Sequence, residues 1–145
     1  MSTQNLLRVI QFYEALGPED VPRMGEIYAK HATFKDPFNR VVGVDLIAAI
    51  FEEMFQTLHE PRFKIITAIE RGGDAFLTWD FTFRVKKFRP DQNMTIHGAS
   101  HLQFDAQGKI VMHRDYWDAA EELYAKLPVL GAFMRFLQRK VTHKA

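Results

Sequence analysis

Apolar residues recur at helical spacing in the first part of the chain and at strand spacing after it. From Asn5 to Leu16, the residues Leu6, Val9, Ile10, Tyr13 and Leu16 share one helical face. Gly17-Pro18 ends that helix. Asp20 is placed to cap a second helix with Pro22 in its first turn, where a missing N–H costs little; Val21, Met24, Ile27 and Tyr28 are its apolar positions. His31 to Pro37 reads as a short strand or extended segment, because Pro37 biases Asp36 away from helix. Gly43-Val44-Asp45 opens a third helix. Its buried stripe is Ile47, Phe51, Met54, Phe55 and Leu58, with Glu52, Glu53 and Gln56 toward water.

From Pro61 the period becomes two. Phe63, Ile65, Thr67 and Ile69 alternate with Lys64 and Glu70, and Arg71-Gly72-Gly73-Asp74 signals a hairpin. Leu77, Trp79, Phe81, Phe83 and Val85 alternate with Thr78, Asp80, Thr82 and Arg84. A polar loop from Lys86 to Asn93 leads to a third long strand, Met94 to Phe104. Asp105-Ala106-Gln107-Gly108 turns into a fourth, Lys109 to about Asp118. A short helix follows from Ala119 to Lys126. After Leu127-Pro128 a final amphipathic helix carries Leu130, Phe133, Met134, Leu137 and Val141 on one face. Helices first and an antiparallel meander after them indicate the α+β class. The expected architecture is a curved antiparallel sheet making a cone around the N-terminal helices, with an added C-terminal helix.

Composition narrows the field. A chain of 145 residues suits one domain, with a core at about 5–118 and a helical extension at about 119–145. Apolar residues make up 47%, and 13 phenylalanines supply a large core. The 19 Lys+Arg and 18 Asp+Glu nearly cancel, so nothing global points to nucleic acid. Without cysteine there is neither a disulfide framework nor a thiolate metal site. The N-terminus lacks the features of a signal peptide, and no segment reaches the length of a membrane span, so the expectation is a soluble cytoplasmic protein.

The segment His113-Arg114-Asp115-Tyr116-Trp117-Asp118 carries the candidate chemistry. Strand alternation sends His113, Asp115 and Trp117 to one side and Arg114, Tyr116 and Asp118 to the other. A carboxylate on an apolar strand face is costly unless partners satisfy it or a cavity uses it. Asp115 is therefore either an acid–base group or an acceptor for His113, Tyr13 or a backbone N–H. His113 is either a core histidine or a proton relay. Asp36 has two readings as well: a base beside a cavity, or the residue that closes the turn before Pro37-Phe38-Asn39. Ser100 and Tyr13 can donate to a ligand oxygen. Trp79, Phe81, Phe83 and Trp117 are core, or cavity walls if the cone is not filled. His97 and His101 alternate outward; two histidines on a strand can hold a metal only with a third ligand, which the sequence does not supply. The last helix, with Arg135, Arg139, Lys140 and Lys144, can lie on an acidic membrane surface or pack on the body, and packing suits its phenylalanine stripe better.

Tyr13-Glu14-Ala15-Leu16, Ala32-Thr33-Phe34-Lys35-Asp36-Pro37, Ser100-His101-Leu102-Gln103-Phe104 and Gly108 to Arg114, in this element order, resemble the nuclear transport factor 2-like superfamily. It includes ketosteroid isomerases, SnoaL-like polyketide cyclases, scytalone dehydratase and limonene epoxide hydrolase. The resemblance covers about residues 5 to 118 and implies a cone with an apolar ligand cavity. It puts the isomerases' general base on Asp36. Their oxyanion-hole Tyr falls on Phe12, next to Tyr13, and their protonated Asp falls on Ser100. The acidic donor is thus missing here. The Asp–Arg–Asp arrangement of limonene epoxide hydrolase is not matched, because Arg114 points away from the cavity.

Two functions follow. One is a cofactor-free proton-transfer enzyme (isomerase, cyclase, dehydratase or hydrolase) on an apolar carbonyl or epoxide-type molecule. In it Asp36 or Asp115 is the base, His113 a relay, and Phe12, Tyr13, Phe34, Phe51, Phe55, Trp79, Phe81, Ser100, Leu102 and Trp117 bind substrate, with no metal. The other is a non-catalytic ligand-binding or dimerisation module. In both, the resemblance implies a homodimer through the outer sheet face.

Overall fold

A computed structural model describes residues 2–86 and 91–122. Helix α1 spans Ser2–Glu14 and is followed by a tight helical segment, Pro18–Glu26. Strands β1 (Tyr28–Lys35) and β2 (Arg40–Val42) come next, then helix α2 (Val44–Thr57). Strands β3 (Leu58–Arg71), β4 (Asp74–Val85), β5 (Met94–Phe104) and β6 (Ile110–Tyr116) follow, and α3 begins at Ala119 and is described to Glu122. The final amphipathic helix expected beyond Leu127 lies outside the described residues.

The strands form one curved, open sheet in the order β2-β1-β6-β5-β4-β3. β3 to β6 are the expected antiparallel meander. The sheet is not antiparallel throughout, however, since β1 returns beside β6 in parallel. That pairing makes residues 31–35 a strand of the sheet, with Asp36 and Pro37 just beyond it, and β2 extends the sheet as the hairpin partner of β1. Gly72 and Gly73 make the two-residue β3–β4 turn, where Gly72 takes φ +63° as the tight hairpin requires.

Two local expectations fail. The second helix begins at Pro18 rather than after Asp20, and Asp20 Oδ2 accepts the Gly17 N–H at 2.9 Å. With proline at Pro18 and Pro22 the segment winds tightly and ends at Glu26, so Tyr28 opens β1 instead of completing a helical stripe. In β3 the register slips between Ile65 and Thr67. One extra residue reverses the alternation, so Ile69 is 61% exposed rather than inward. Glu70 turns inward in exchange, and its Oε2 has no partner among the described residues.

α1 and α2 cover the inner face of the sheet. Leu6, Val9 and Tyr13 of α1, and Ile47 and Phe51 of α2, join Leu77, Trp79, Leu102 and Ile110 in one core. Each such side chain contributes about 1.5–3 kcal/mol on full burial. Gly43 at φ +109° precedes α2 and fixes where that helix starts, as Gly43-Val44-Asp45 predicts. The core fills the end of the cone near α1. The other end, between α2 and β3–β6, stays open.

Candidate functional site

His113 and Asp115 occupy alternate positions on β6 and both point inward, as the parity of the segment requires. Asp115 pairs in register with Ser100 on β5, and His113 with Leu102. Ser100 Oγ donates to Asp115 Oδ1 at 2.5 Å. His113 Nε2 meets the same oxygen at 2.7 Å. On its other side, His113 Nδ1 meets the Tyr28 hydroxyl at 2.6 Å, and Tyr28 is hydrogen-bonded to the Tyr13 hydroxyl. Trp79 Nε1–H donates to Ser100 Oγ at 2.8 Å.

Six side chains thus form one chain of hydrogen bonds ending on a carboxylate, and its direction can be assigned. An ionised carboxylate only accepts, so His113 carries its proton on Nε2 and accepts at Nδ1 from Tyr28 O–H. The Tyr28 oxygen then accepts from Tyr13 O–H. Burial is the main reason both phenols are pushed well above the ordinary tyrosine value. The imidazole lies parallel to the Tyr28 ring but displaced from it (centroids 5.9 Å, planes at 9°) and is tilted on Phe34 at 4.7 Å, its register partner on β1.

Asp115 also lines a cavity of about 530 Å³ in the open end of the cone. The walls are Phe34, Phe51, Phe63, Trp79, Phe81, Phe83 and Trp117, with Ile50, Met54, Leu58, Val85 and Ile96. The polar lining is Asp36, Asn39, Glu53, Thr57 and Asp115. Behind Asp115 lies a small void of about 30 Å³ bounded by Tyr13, Leu77, Ser100, Leu102 and His113. Asp115 faces both spaces. Among the described residues no donor reaches its Oδ2. Trp79 closes the wall between the two spaces, its indole laid over Gly98 directly across the β4–β5 ladder.

Of the expected site residues, Phe34, Asp36, Phe51, Trp79, Phe81, Asp115 and Trp117 line the main cavity, and Tyr13, Ser100, Leu102 and His113 stand behind it. Two do not belong. Phe12 is one residue, about 100°, around α1 from Tyr13 and faces the Pro18–Glu26 segment, where the Arg23 guanidinium lies 6.0 Å from its ring. Phe55 sits on the far side of the α2 core stripe, and Ile50, Glu53, Met54 and Thr57 present the cavity face instead. Glu53 was expected in water; it is exposed, yet at the cavity rim. Neither the Ser100 nor the Tyr13 hydroxyl is left to hold a ligand, since both serve the internal chain.

Asp36 is hydrogen-bonded within its own turn. Its Oδ1 accepts the backbone N–H of Phe38 (2.8 Å) and Asn39 (2.6 Å), and Asn39 Nδ2 reaches Oδ1 and Oδ2 at 3.1 and 3.2 Å. It closes the turn and still lines the cavity. His97 and His101 point outward and pair with Asp80 (2.5 Å) and Asp74 (2.8 Å). No cluster of three metal-ligating side chains occurs among the described residues. Tyr28 is the site residue that sequence reasoning missed. Its polar tip on a fully buried ring was the available signal, hidden by placing it on a helix.

The geometry meets its relatives at this point. The chain belongs to the SnoaL-like domain family, which matches residues 9–113. A steroid Delta-isomerase from Nocardioides simplex is 27% identical over 121 residues, covering 81% of this chain and 92% of that protein. A putative SnoaL-like polyketide cyclase from Shewanella putrefaciens superposes with a TM-score of 0.72 at 19% identity, covering 87% of this chain and 97% of the other. An epoxide hydrolase from M. tuberculosis, described as LEH-like, gives 0.71 at 17% identity, covering 94% and 98%. The fold is that of the nuclear transport factor 2-like and ketosteroid isomerase-like proteins. Among the described residues no helix is long and apolar enough to cross a membrane.

Proposed function

We propose that the cavity is the active site of an acid–base enzyme acting on an apolar small molecule, with Asp115 as the group that takes and returns the proton. The observation that carries this reading is the asymmetry of the Asp115 carboxylate. Oδ1 is held by Ser100 and His113 at 2.5 and 2.7 Å, while the residue faces a cavity of about 530 Å³ within the size range of small-molecule sites. A carboxylate fixed through one oxygen presents the other in a constant direction, as general base catalysis requires. Removing a proton beside a carbonyl would place it on Oδ2. Returning it to a different atom gives isomerisation; on a water the same step yields a hydroxide that attacks an epoxide carbon as its C–O bond breaks, and the alkoxide formed takes the proton back from Asp115. His113 is the positioning partner, with Tyr28 hydrogen-bonded to its other nitrogen. Asp36, with both oxygens engaged by Asn39, is assigned to shaping the cavity mouth.

The test is turnover of three probes: a β,γ-unsaturated ketosteroid, an apolar epoxide and an aromatic polyketide ester. One class should be converted, and Asp115→Asn should lower its turnover by about 10²–10⁴-fold with the fold intact by circular dichroism. Asp36→Asn should act mainly on KM. Wild-type turnover in folded Asp115→Asn would overturn the assignment. A second reading, a non-catalytic binding module, is favoured by the internal satisfaction of Ser100, His113 and Tyr13. It predicts that Asp115→Asn loses stability and leaves ligand uptake unchanged.

A further inference from the structure

We infer that the ligand enters this cavity as a cation, an apolar amine or quaternary ammonium compound. The inference rests on reading the cavity as a ligand site and adds the charge class of its occupant. Over the whole sequence 19 Lys+Arg balance 18 Asp+Glu. Within the main cavity the balance is broken. Its ionisable lining is Asp36, Glu53 and Asp115, and no Lys, Arg or His is among the described lining residues. On β6 His113 stands behind Asp115, against the small void, and Arg114, between them in sequence, is exposed on the other face.

Most of the remaining lining is apolar, and the larger share of it is aromatic. At one side Phe38 and Trp117 meet edge to face, with ring centroids 5.6 Å apart and planes at 73°, next to the turn that Asp36 closes. Along the opposite wall Phe63 and Phe81 stack at 4.5 Å. Aromatic faces carry negative electrostatic potential and attract ammonium groups, most strongly where water is excluded. Carboxylates of one sign within low-dielectric walls add to the same field. For an anionic ligand every one of these terms is repulsive. A neutral apolar ligand gains the burial and none of the electrostatics.

Both tryptophans of the chain, Trp79 and Trp117, line this cavity, so intrinsic fluorescence reports on its occupant. Phenylpropyltrimethylammonium, its uncharged carbon isostere and phenylbutyrate are titrated against the full chain at low and high salt. The cation should bind about tenfold or more tighter than the isostere, and phenylbutyrate weakest. Glu53→Gln, an exposed change on α2, should weaken the cation about two- to fivefold and leave the isostere unchanged. Equal or tighter binding of the isostere or of phenylbutyrate, or no binding of the cation, overturns the inference. The two proposals fail separately. Asp115-dependent turnover without cation binding sinks only this one. Glu53-dependent cation binding with unimpaired turnover in Asp115→Asn sinks only the acid–base assignment.

Discussion

Tyr28→Phe removes one oxygen from the middle of the buried hydrogen-bond chain and changes little else, because the ring remains. The oxygen has two partners, Tyr13 O–H and His113 Nδ1. Both side chains are buried, at 6% and 5% relative exposure, so water does not take its place. Each orphaned group costs about 1–3 kcal/mol, which for the two predicts a loss of about 2–6 kcal/mol in unfolding free energy. That is a large share of the roughly 5–15 kcal/mol that holds a domain folded. Tyr13→Phe differs in kind. Tyr28 O–H still donates to His113, so no donor is stranded and the loss should be about 0.5–1.5 kcal/mol. In the double variant only His113 Nδ1 is unpaired, and the total should fall short of the sum of the singles by about 1.5–4.5 kcal/mol. Urea unfolding of the four proteins, followed by tryptophan fluorescence, measures all three losses. Nitrogen NMR of the imidazole should show the Nε2–H tautomer in both proteins, with the Nδ1 resonance shifted in Tyr28→Phe by the lost hydrogen bond. Equal losses that add within about 0.5 kcal/mol would refute the linked chain.

Alkaline pH should act through the same two phenols. Burial holds both above the ordinary value of 10.0, so the folded state keeps protons that the unfolded state releases. Their contribution to stability is complete below pH 10 and is lost as pH rises beyond it, and phenolate absorbance should show Tyr13 and Tyr28 ionising only together with unfolding. At Gly98 a methyl group would overlap the Trp79 indole. Gly98→Ala should therefore cost about 1–3 kcal/mol and shift tryptophan emission, whereas unchanged emission and stability would mean the indole does not lie on this backbone.

The sequence revealed the walls of the site better than its chemistry. Leu77, Trp79, Phe81 and Phe83 are inward because β4 alternates without interruption, and periodicity reads such a strand directly. Asp115 and His113 followed from the same rule on β6. β3 escaped it beyond Ile65, where a bulge that no residue type announces reverses the faces. Phe12 and Phe55 were misjudged for a helical reason: on α1 and α2 a neighbour one position away points about 100° elsewhere, and only packing decides which flank of a stripe meets the cavity. Tyr28 was hidden by long range. It reaches His113 across 85 residues of sequence, through a parallel pairing that no local pattern encodes.

The same separation sets the order in which the site comes into being. Tyr13 and Tyr28 are 15 residues apart, as are Ser100 and Asp115, so each half of the chain of bonds can be made early and locally. The halves join only when β1 docks on β6, a closure with a far larger entropic cost and a slow one. A nascent or partly folded chain can hold the aromatic hairpins of β3 to β5 and already offer an oily cleft. It cannot yet give His113 its hydrogen bond to Tyr28. Arrival of that strand completes the buried chain of hydrogen bonds behind Asp115, so an intact Tyr28–His113–Asp115 link is the mark of a finished fold.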